Sequence, residues 1–250
     1  MPGIYGMAAL TISLAAILCL TTLNRLTRSN RRYYALVLVG LPLSFIVNRF
    51  VKTPAIASLA EWAGTPLKLS LDAPWWFIIA IWLNAPIFEE AIKLLPMALP
   101  VSRPFLRDAS AALGAGLALG MGFGLGEAAY LAYGIAQNPA YNQLPWYTFT
   151  GFATERLIVT FAHGLMTSIA VLGLSNGKRT AVPGYLAAAG IHALINLGPI
   201  LLALKLLSPV ISSLASYIVI LFAFLIFQKQ MRVAQKRDER GSREVVYFER

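Results

Sequence analysis

Two adjacent carboxylates and a lysine, Glu89, Glu90 and Lys93, lie inside an apolar run that extends from Pro74 to Val101. A charged side chain near the centre of a bilayer helix costs about 2.5–3.5 kcal/mol on insertion scales, so such residues are functional candidates by default. Glu89 and Lys93 are four residues apart and share a helix face, whereas Glu90 points about 100° away. We therefore expect Glu89 to pair with Lys93 and Glu90 to need another partner.

Four further polar side chains interrupt later apolar runs, namely Glu127, His163, His192 and Asn196. The two histidines are the only ones in the chain, and Asn196 follows His192 by one helical turn. Arg156 and Thr167 fall on the same helical face as His163. Ionisable groups that converge from several helices are typical of an active site.

Three glycines spaced four residues apart, Gly116, Gly120 and Gly124, precede Glu127. Small residues at this spacing let two helices approach closely, so packing alone explains the glycines. Packing does not explain the carboxylate that follows them. Counting along the helices places Glu127 about two turns nearer the outside than the other polar residues, so we expect this helix to be tilted, kinked or re-entrant.

The composition is that of a membrane protein, with 58% hydrophobic and 13% charged residues. Runs long enough to cross a hydrocarbon core of ~30 Å occur at about 3–23, 33–51, 75–101, 109–134, 149–174, 181–204 and 209–227. We predict an all-α polytopic bundle of about seven transmembrane helices around a polar active-site cluster. One domain covers 1–227, with the motifs at about 75–204, and a basic cytoplasmic tail covers 228–250.

The basic residues lie mostly on one side of the predicted bundle. Of the 21 Lys and Arg, 15 fall in connections or in the tail on one side, and 4, including Lys52, fall in connections on the other. The connection at 52–74 is either an ordinary amphipathic linker, which we prefer, or a short interfacial helix. This asymmetry predicts an outside N-terminus and a cytoplasmic C-terminus. Separately, we expect the membrane to be a prokaryotic plasma membrane. The net charge of +10 is not arranged as a nucleic-acid-binding patch. A single cysteine excludes an internal disulfide.

Four short motifs occur in order between about residues 84 and 196: Glu89-Glu90-x-x-Lys93, Phe123-x-x-x-Glu127, His163-x-x-x-Thr167 and His192-x-x-x-Asn196. As an ordered set, one in each predicted helix, they resemble the CAAX-processing and PrsW-type intramembrane protease superfamily, and most closely its PrsW branch. The resemblance implies an endopeptidase that cuts a membrane-associated protein in the lipid bilayer. A single-span regulator such as an anti-sigma factor is the substrate that the PrsW branch implies.

The resemblance also implies roles for the polar residues in a glutamate-activated hydrolysis. Glu89 is then the general base, Glu127 holds the water, and His192 with Asn196 faces the oxyanion. His163 orients the water or acts as the acid. The choice of base between Glu89 and its neighbour Glu90 stays open, and three residues have supporting roles: Lys93, Arg156 and Thr167.

Two alternatives remain open. Glu89, Glu127, His163 and His192 carry the nitrogen and oxygen ligands that suit a catalytic zinc. The His-Glu-x-x-His signature is absent, and we therefore prefer a site with no metal cofactor. The second alternative is a non-enzymatic transporter or scaffold, which the lack of an inverted hydropathy repeat and the presence of the glutamate pair disfavour.

Overall fold

The computed structural model is all helical. It describes residues 2–27 and 30–248, with side chains through residue 236. Within this part of the chain the α-helices are α1 (Gly3–Leu26), α2 (Arg32–Val47), α3 (Thr53–Ala63), α4 (Trp75–Leu94), α5 (Ala109–Gln137), α6 (Thr150–Ser175), α7 (Lys178–Ala203) and α8 (Pro209–Phe248). The predicted all-α bundle is confirmed. The predicted tail continues α8 to Phe248, and its last two positions lie outside the described residues.

Six helical segments among the described residues are long and apolar enough to cross a membrane: Gly3–Leu26, Arg32–Ala63, Ala109–Gln137, Trp146–Ser175, Lys178–Ala203 and Pro209–Lys236. The predicted seventh, at 75–101, corresponds to α4, which ends at Leu94 because Pro96 has no N–H to donate to the carbonyl of Ile92. Two 3₁₀ segments follow, Leu95–Ala98 and Pro100–Leu106. The last six residues of α4 include three charged ones. This helix packs against α7, α6 and α2.

Helix α5 is the central element of the bundle. In its most apolar segment 78% is buried, compared with 22% in α8. Five of its glycines lie against two neighbours, with Gly116, Gly120 and Gly124 facing α6 and Gly122 and Gly126 facing α2. A Cβ atom at Gly120 would collide with the carbonyl of His163, so the missing side chain lets the backbones of α5 and α6 touch. The glycines therefore set how closely α6 presents its polar residues to α5.

A π-helical turn, Asn48–Lys52, joins α2 to α3 without a break. Pro54 follows this turn, and it cannot donate to the carbonyl of Phe50, which its ring also pushes away. The wider turn is the physical result. The predicted connection at 52–74 therefore begins as a continuation of the helix. The preferred interpretation of this connection as an ordinary linker is wrong, because its first part forms α3.

Two hydrogen bonds tie α4 to α7. The indole Nε1 of Trp82 donates to the carbonyl of Ala193 at 2.7 Å, and the hydroxyl of Tyr185 donates to the carbonyl of Ile87 at 3.0 Å. Few polar partners compete in an apolar bundle, so such bonds define how the two helices are aligned. They fix α4 and α7 relative to each other on the stretch that carries the polar residues.

The structure predicts opposite effects for two glycines of α5. In Gly120→Ala the new methyl group meets the backbone of α6, and overpacking of this kind costs about 1–3 kcal/mol. In Gly134→Ala the methyl group meets nothing within 4 Å, so a small gain in stability of about 0.5–1 kcal/mol is expected. Thermal unfolding midpoints in detergent measure both, and equal midpoints for the two variants would contradict this account of the packing.

Candidate active site

The predicted polar residues meet at one cavity of about 330 Å³ between α4, α5, α6, α7 and α8. Its walls include the side chains of Lys52, Glu89, Glu127, Arg156, His163, His192 and Asn196. Glu90 and Lys93 lie behind this wall and are completely buried. Residues from five helices and the π turn therefore form one site, although they are spread over more than half of the chain.

Glu90 holds two of the other site residues. Its Oε1 accepts hydrogen bonds from Lys93 Nζ at 2.7 Å and from His192 Nδ1 at 2.8 Å. The expected pairing of Lys93 with Glu89 is therefore wrong. On a helix a lysine reaches residues three and four positions earlier equally well, and here Lys93 takes the nearer carboxylate, which faces α7.

Glu89 is paired with a residue that the sequence did not point to. Its Oε1 accepts from the ammonium of Lys52, which reaches it from the π turn. Its Oε2 is buried and has no hydrogen-bond partner among the described residues. The Nε2 atom of His192 lies 3.9 Å from this oxygen. Charge counting placed Lys52 in an outside connection, and only its position at the edge of an apolar run, beside Pro54, gave any signal.

His163 is held at both of its ring nitrogens. Nδ1 lies 2.9 Å from Lys93 Nζ, and Nε2 lies 3.1 Å from Glu127 Oε2. An ammonium can only donate, so Nδ1 accepts from Lys93 and Nε2 donates to Glu127. The side chain of His163 also packs edge-on to Phe123. These contacts fix both the position and the tautomer of the ring.

Glu127 reaches the cluster despite its predicted offset along α5. Its Oε2 also accepts from Arg156 Nη1 at 2.8 Å, and Arg156 Nη2 donates to Glu155 at 2.6 Å. Both described bonds of Glu127 thus use one oxygen. The close packing of α5 on α6 brings this carboxylate to His163.

The remaining two predicted residues lie in different places. Asn196 lines the cavity one turn beyond His192. Thr167 does not line it, and its hydroxyl donates to the carbonyl of His163 at 2.8 Å. Thr167 therefore belongs to the contact between α5 and α6.

The chemistry of the cluster fits a divalent metal. Glu89, His163 and His192 are buried, and each offers one ligand atom within 4.8 Å of the others. The unpartnered Oε2 of Glu89 is available as a ligand. In metal sites the second ring nitrogen of a ligating histidine commonly donates to a carboxylate, as His192 does to Glu90. Nitrogen and oxygen donors of this kind suit zinc.

Comparison with known proteins identifies the family. A family model described as PrsW family intramembrane metalloprotease matches residues 8–227. No curated protein and no solved structure matches the chain. Because the matched region covers most of the chain, the protein belongs to this family and is an intramembrane protease. Its substrates are accordingly membrane proteins.

The family assignment bears on two of the open alternatives. A protease is an enzyme, which removes the support for a transporter or scaffold. The preference for a site without metal is not supported, because the family is described as metalloproteases and three buried side chains converge as a possible ligand set.

The buried pair of Glu90 and Lys93 should be critical for stability. Lys93→Met leaves the carboxylate of Glu90 buried without its cation, and breaking such a pair costs about 3–5 kcal/mol. We expect a clearly lower thermal unfolding midpoint in detergent. Lys68→Met, at an exposed lysine, is the matched control and should be neutral.

The double variant Glu90→Gln with Lys93→Met should regain part of the lost stability, because it removes the uncompensated charge. If the two substitutions were independent, their losses of stability would add, and the double variant would be less stable than Lys93→Met. That outcome would contradict this account of the pair.

Proposed function

We propose that this PrsW-family protease hydrolyses a peptide bond of its membrane protein substrate in the cavity, with Glu89, His163 and His192 as ligands of a catalytic zinc. The observation that carries the proposal is the convergence of these three buried side chains. Zinc bound there would supply a Lewis acid that polarises the oxygen of a water molecule or of the scissile carbonyl.

Glu90 and Lys93 position the proposed ligands. By accepting from Nδ1 of His192, Glu90 leaves Nε2 as the nitrogen that faces Glu89. Lys93 bonds to Glu90 and to His163 at once, and so links the two histidine-bearing helices through α4. These contacts preorganise His192, which is held at Nδ1 while Nε2 faces Glu89. His163 is bonded at both ring nitrogens and would release either Lys93 or Glu127 to offer one of them to the metal.

Glu127 is the carboxylate that we assign to proton transfer. It lines the cavity but lies outside the group of three ligands. Its bonds to Arg156 and His163 both use Oε2, which leaves Oε1 to take a proton from the attacking water and to return it to the leaving amine. A glutamate thus activates the water, as the sequence predicted, but we move this role from Glu89 to Glu127.

Asn196 is the proposed oxyanion donor. Its side chain lines the cavity on the same helix as His192. An amide N–H that points to the developing oxyanion stabilises the tetrahedral transition state.

The substrate and orientation follow from further arguments. A single-span membrane protein, such as an anti-sigma factor, presents a single helix to the cavity and therefore suits hydrolysis within a bundle. With α4 counted as a seventh crossing beside the six long apolar segments, the asymmetry of 15 against 4 basic residues supports an outside N-terminus and a cytoplasmic C-terminus. An anti-sigma factor as substrate implies a prokaryotic plasma membrane.

Zinc content and cleavage together separate a ligand from a base. We expect about one zinc per wild-type chain, with activity lost to a strong chelator and restored by zinc. Glu89→Gln should lose both zinc and activity. Glu127→Gln should keep zinc while cleavage falls by about 10²–10⁴. Metal analysis and cleavage of single-span substrates in membranes are the measurements.

Glu61→Gln, at an exposed residue of α3, is the control and should match the wild type. A Glu89→Gln protein that keeps its zinc but loses activity would make Glu89 the base instead. Wild-type cleavage in both Glu89→Gln and Glu127→Gln would place the chemistry elsewhere in the chain.

Removal of the Asn196 side chain should affect only the reaction. Asn196→Ala is expected to keep its zinc and lose about 10²–10³ in kcat, the effect of one oxyanion donor. Kinetics on the same substrates measure the loss. An increase in KM with kcat unchanged would show instead that Asn196 contributes to substrate binding.

A further inference from the structure

The buried charges of the site balance one another. Three carboxylates each bond to a different cation: Glu89 to Lys52, Glu90 to Lys93 and Glu127 to Arg156. The hydrogen bonds of both histidine rings are ones that a neutral imidazole can make, so the rings add no charge. A divalent metal ion added to this set introduces two positive charges without counter-charge. Uncompensated charge in such a site costs several kcal/mol, so metal binding favours the departure of a cation.

Of the three cations, Lys52 loses the fewest bonds when it leaves the site. The side chain of Lys93 is 0% exposed and bonds to both Glu90 and His163. Arg156 is shared between two carboxylates. Lys52 has one described partner, Glu89, and its side chain is 14% exposed.

The location of Lys52 allows it to move. It is the last residue of the π turn and lines the cavity. A lysine carries its charge on a flexible four-carbon stem, so the ammonium can turn towards water while the stem keeps its packing. Lys52 also occupies Oε1 of Glu89, the residue that we propose as a metal ligand.

We propose that Lys52 is a displaceable counter-cation of Glu89, which zinc replaces when it binds. This inference rests on the proposed metal site. Zinc adds two positive charges near Glu89, and the departure of Lys52 removes one. The net charge of the site therefore rises by less than it would if Lys52 stayed. Lys52 thereby weakens zinc binding, and the loaded site has a free ammonium beside the cavity.

Amine labelling of the purified full-length protein in detergent tests the exchange. Lys52 is acylated with a water-soluble reagent, with and without zinc, and the modified fraction is measured by mass spectrometry. We expect zinc to raise labelling of Lys52 several-fold and to leave the exposed Lys68 unchanged. Zinc that binds the wild type without raising labelling of Lys52 overturns the exchange.

Zinc affinity gives the second readout. Lys52→Met keeps most of the stem but removes the charge, so its dissociation constant for zinc, measured by competition with a chromogenic chelator, should fall about tenfold or more. Lys68→Met is the matched control and should equal the wild type. An affinity of Lys52→Met equal to or weaker than that of the wild type also overturns the exchange.

Failure of the proposed function has a different signature. A wild-type protein that binds no stoichiometric zinc overturns the metal site itself, and the exchange with it. Should Lys52→Met not fold, labelling of the wild type decides the question alone.

Discussion

Charge buried inside an apolar helix bundle must be paired, and this constraint organises the polar residues of the protein. Neither lipid nor the neighbouring apolar side chains can solvate an isolated carboxylate or ammonium. Each buried carboxylate of the cluster is therefore bonded to a cation from its own helix or another one. The pairs tie α4 to the π turn and α5 to α6, and the bond between Lys93 and His163 joins these two groups into one assembly. Stability and site geometry thus depend on the same contacts.

Helix packing determines which of these pairs can form. The glycines of α5 let α6 approach until His163 and Glu127 are in hydrogen-bond contact. The bonds of Trp82 and Tyr185 align α4 with α7, where Glu90 meets His192. A proline after the π turn loosens the end of α2, where Lys52 turns towards Glu89. Each of these local features has a modest energy, but together they position side chains that are far apart in sequence.

The site combines the three proposed metal ligands with groups that bond to one another. His192 and Glu89 each have one atom committed to a protein partner and one that faces the shared centre. Such preorganisation reduces the rearrangement needed when a cation or a substrate binds. It also means that a cation entering the site competes with those already bonded there. In the proposed metal site, loading therefore depends on charge exchange as well as on ligand geometry.

The sequence by itself determined the class of protein and pointed to most of the polar residues that the structure brings to one cavity. Apolar runs of spanning length predicted the helical bundle. Glu89, Glu127, His163 and His192 stood out because ionisable side chains in membrane segments are costly and usually functional. The four ordered motifs pointed to the family that the comparison confirmed.

Only the tertiary structure decided the pairing. Lys93 bonds to Glu90 rather than to Glu89, and Lys52 bonds to Glu89 in its place. Lys52 joins the site because its helix turn approaches α4 in space, 37 residues away along the chain. Periodicity along a sequence reports which residues share a helix face. It carries no information on which faces of separate helices meet, since that depends on the packing of the whole bundle.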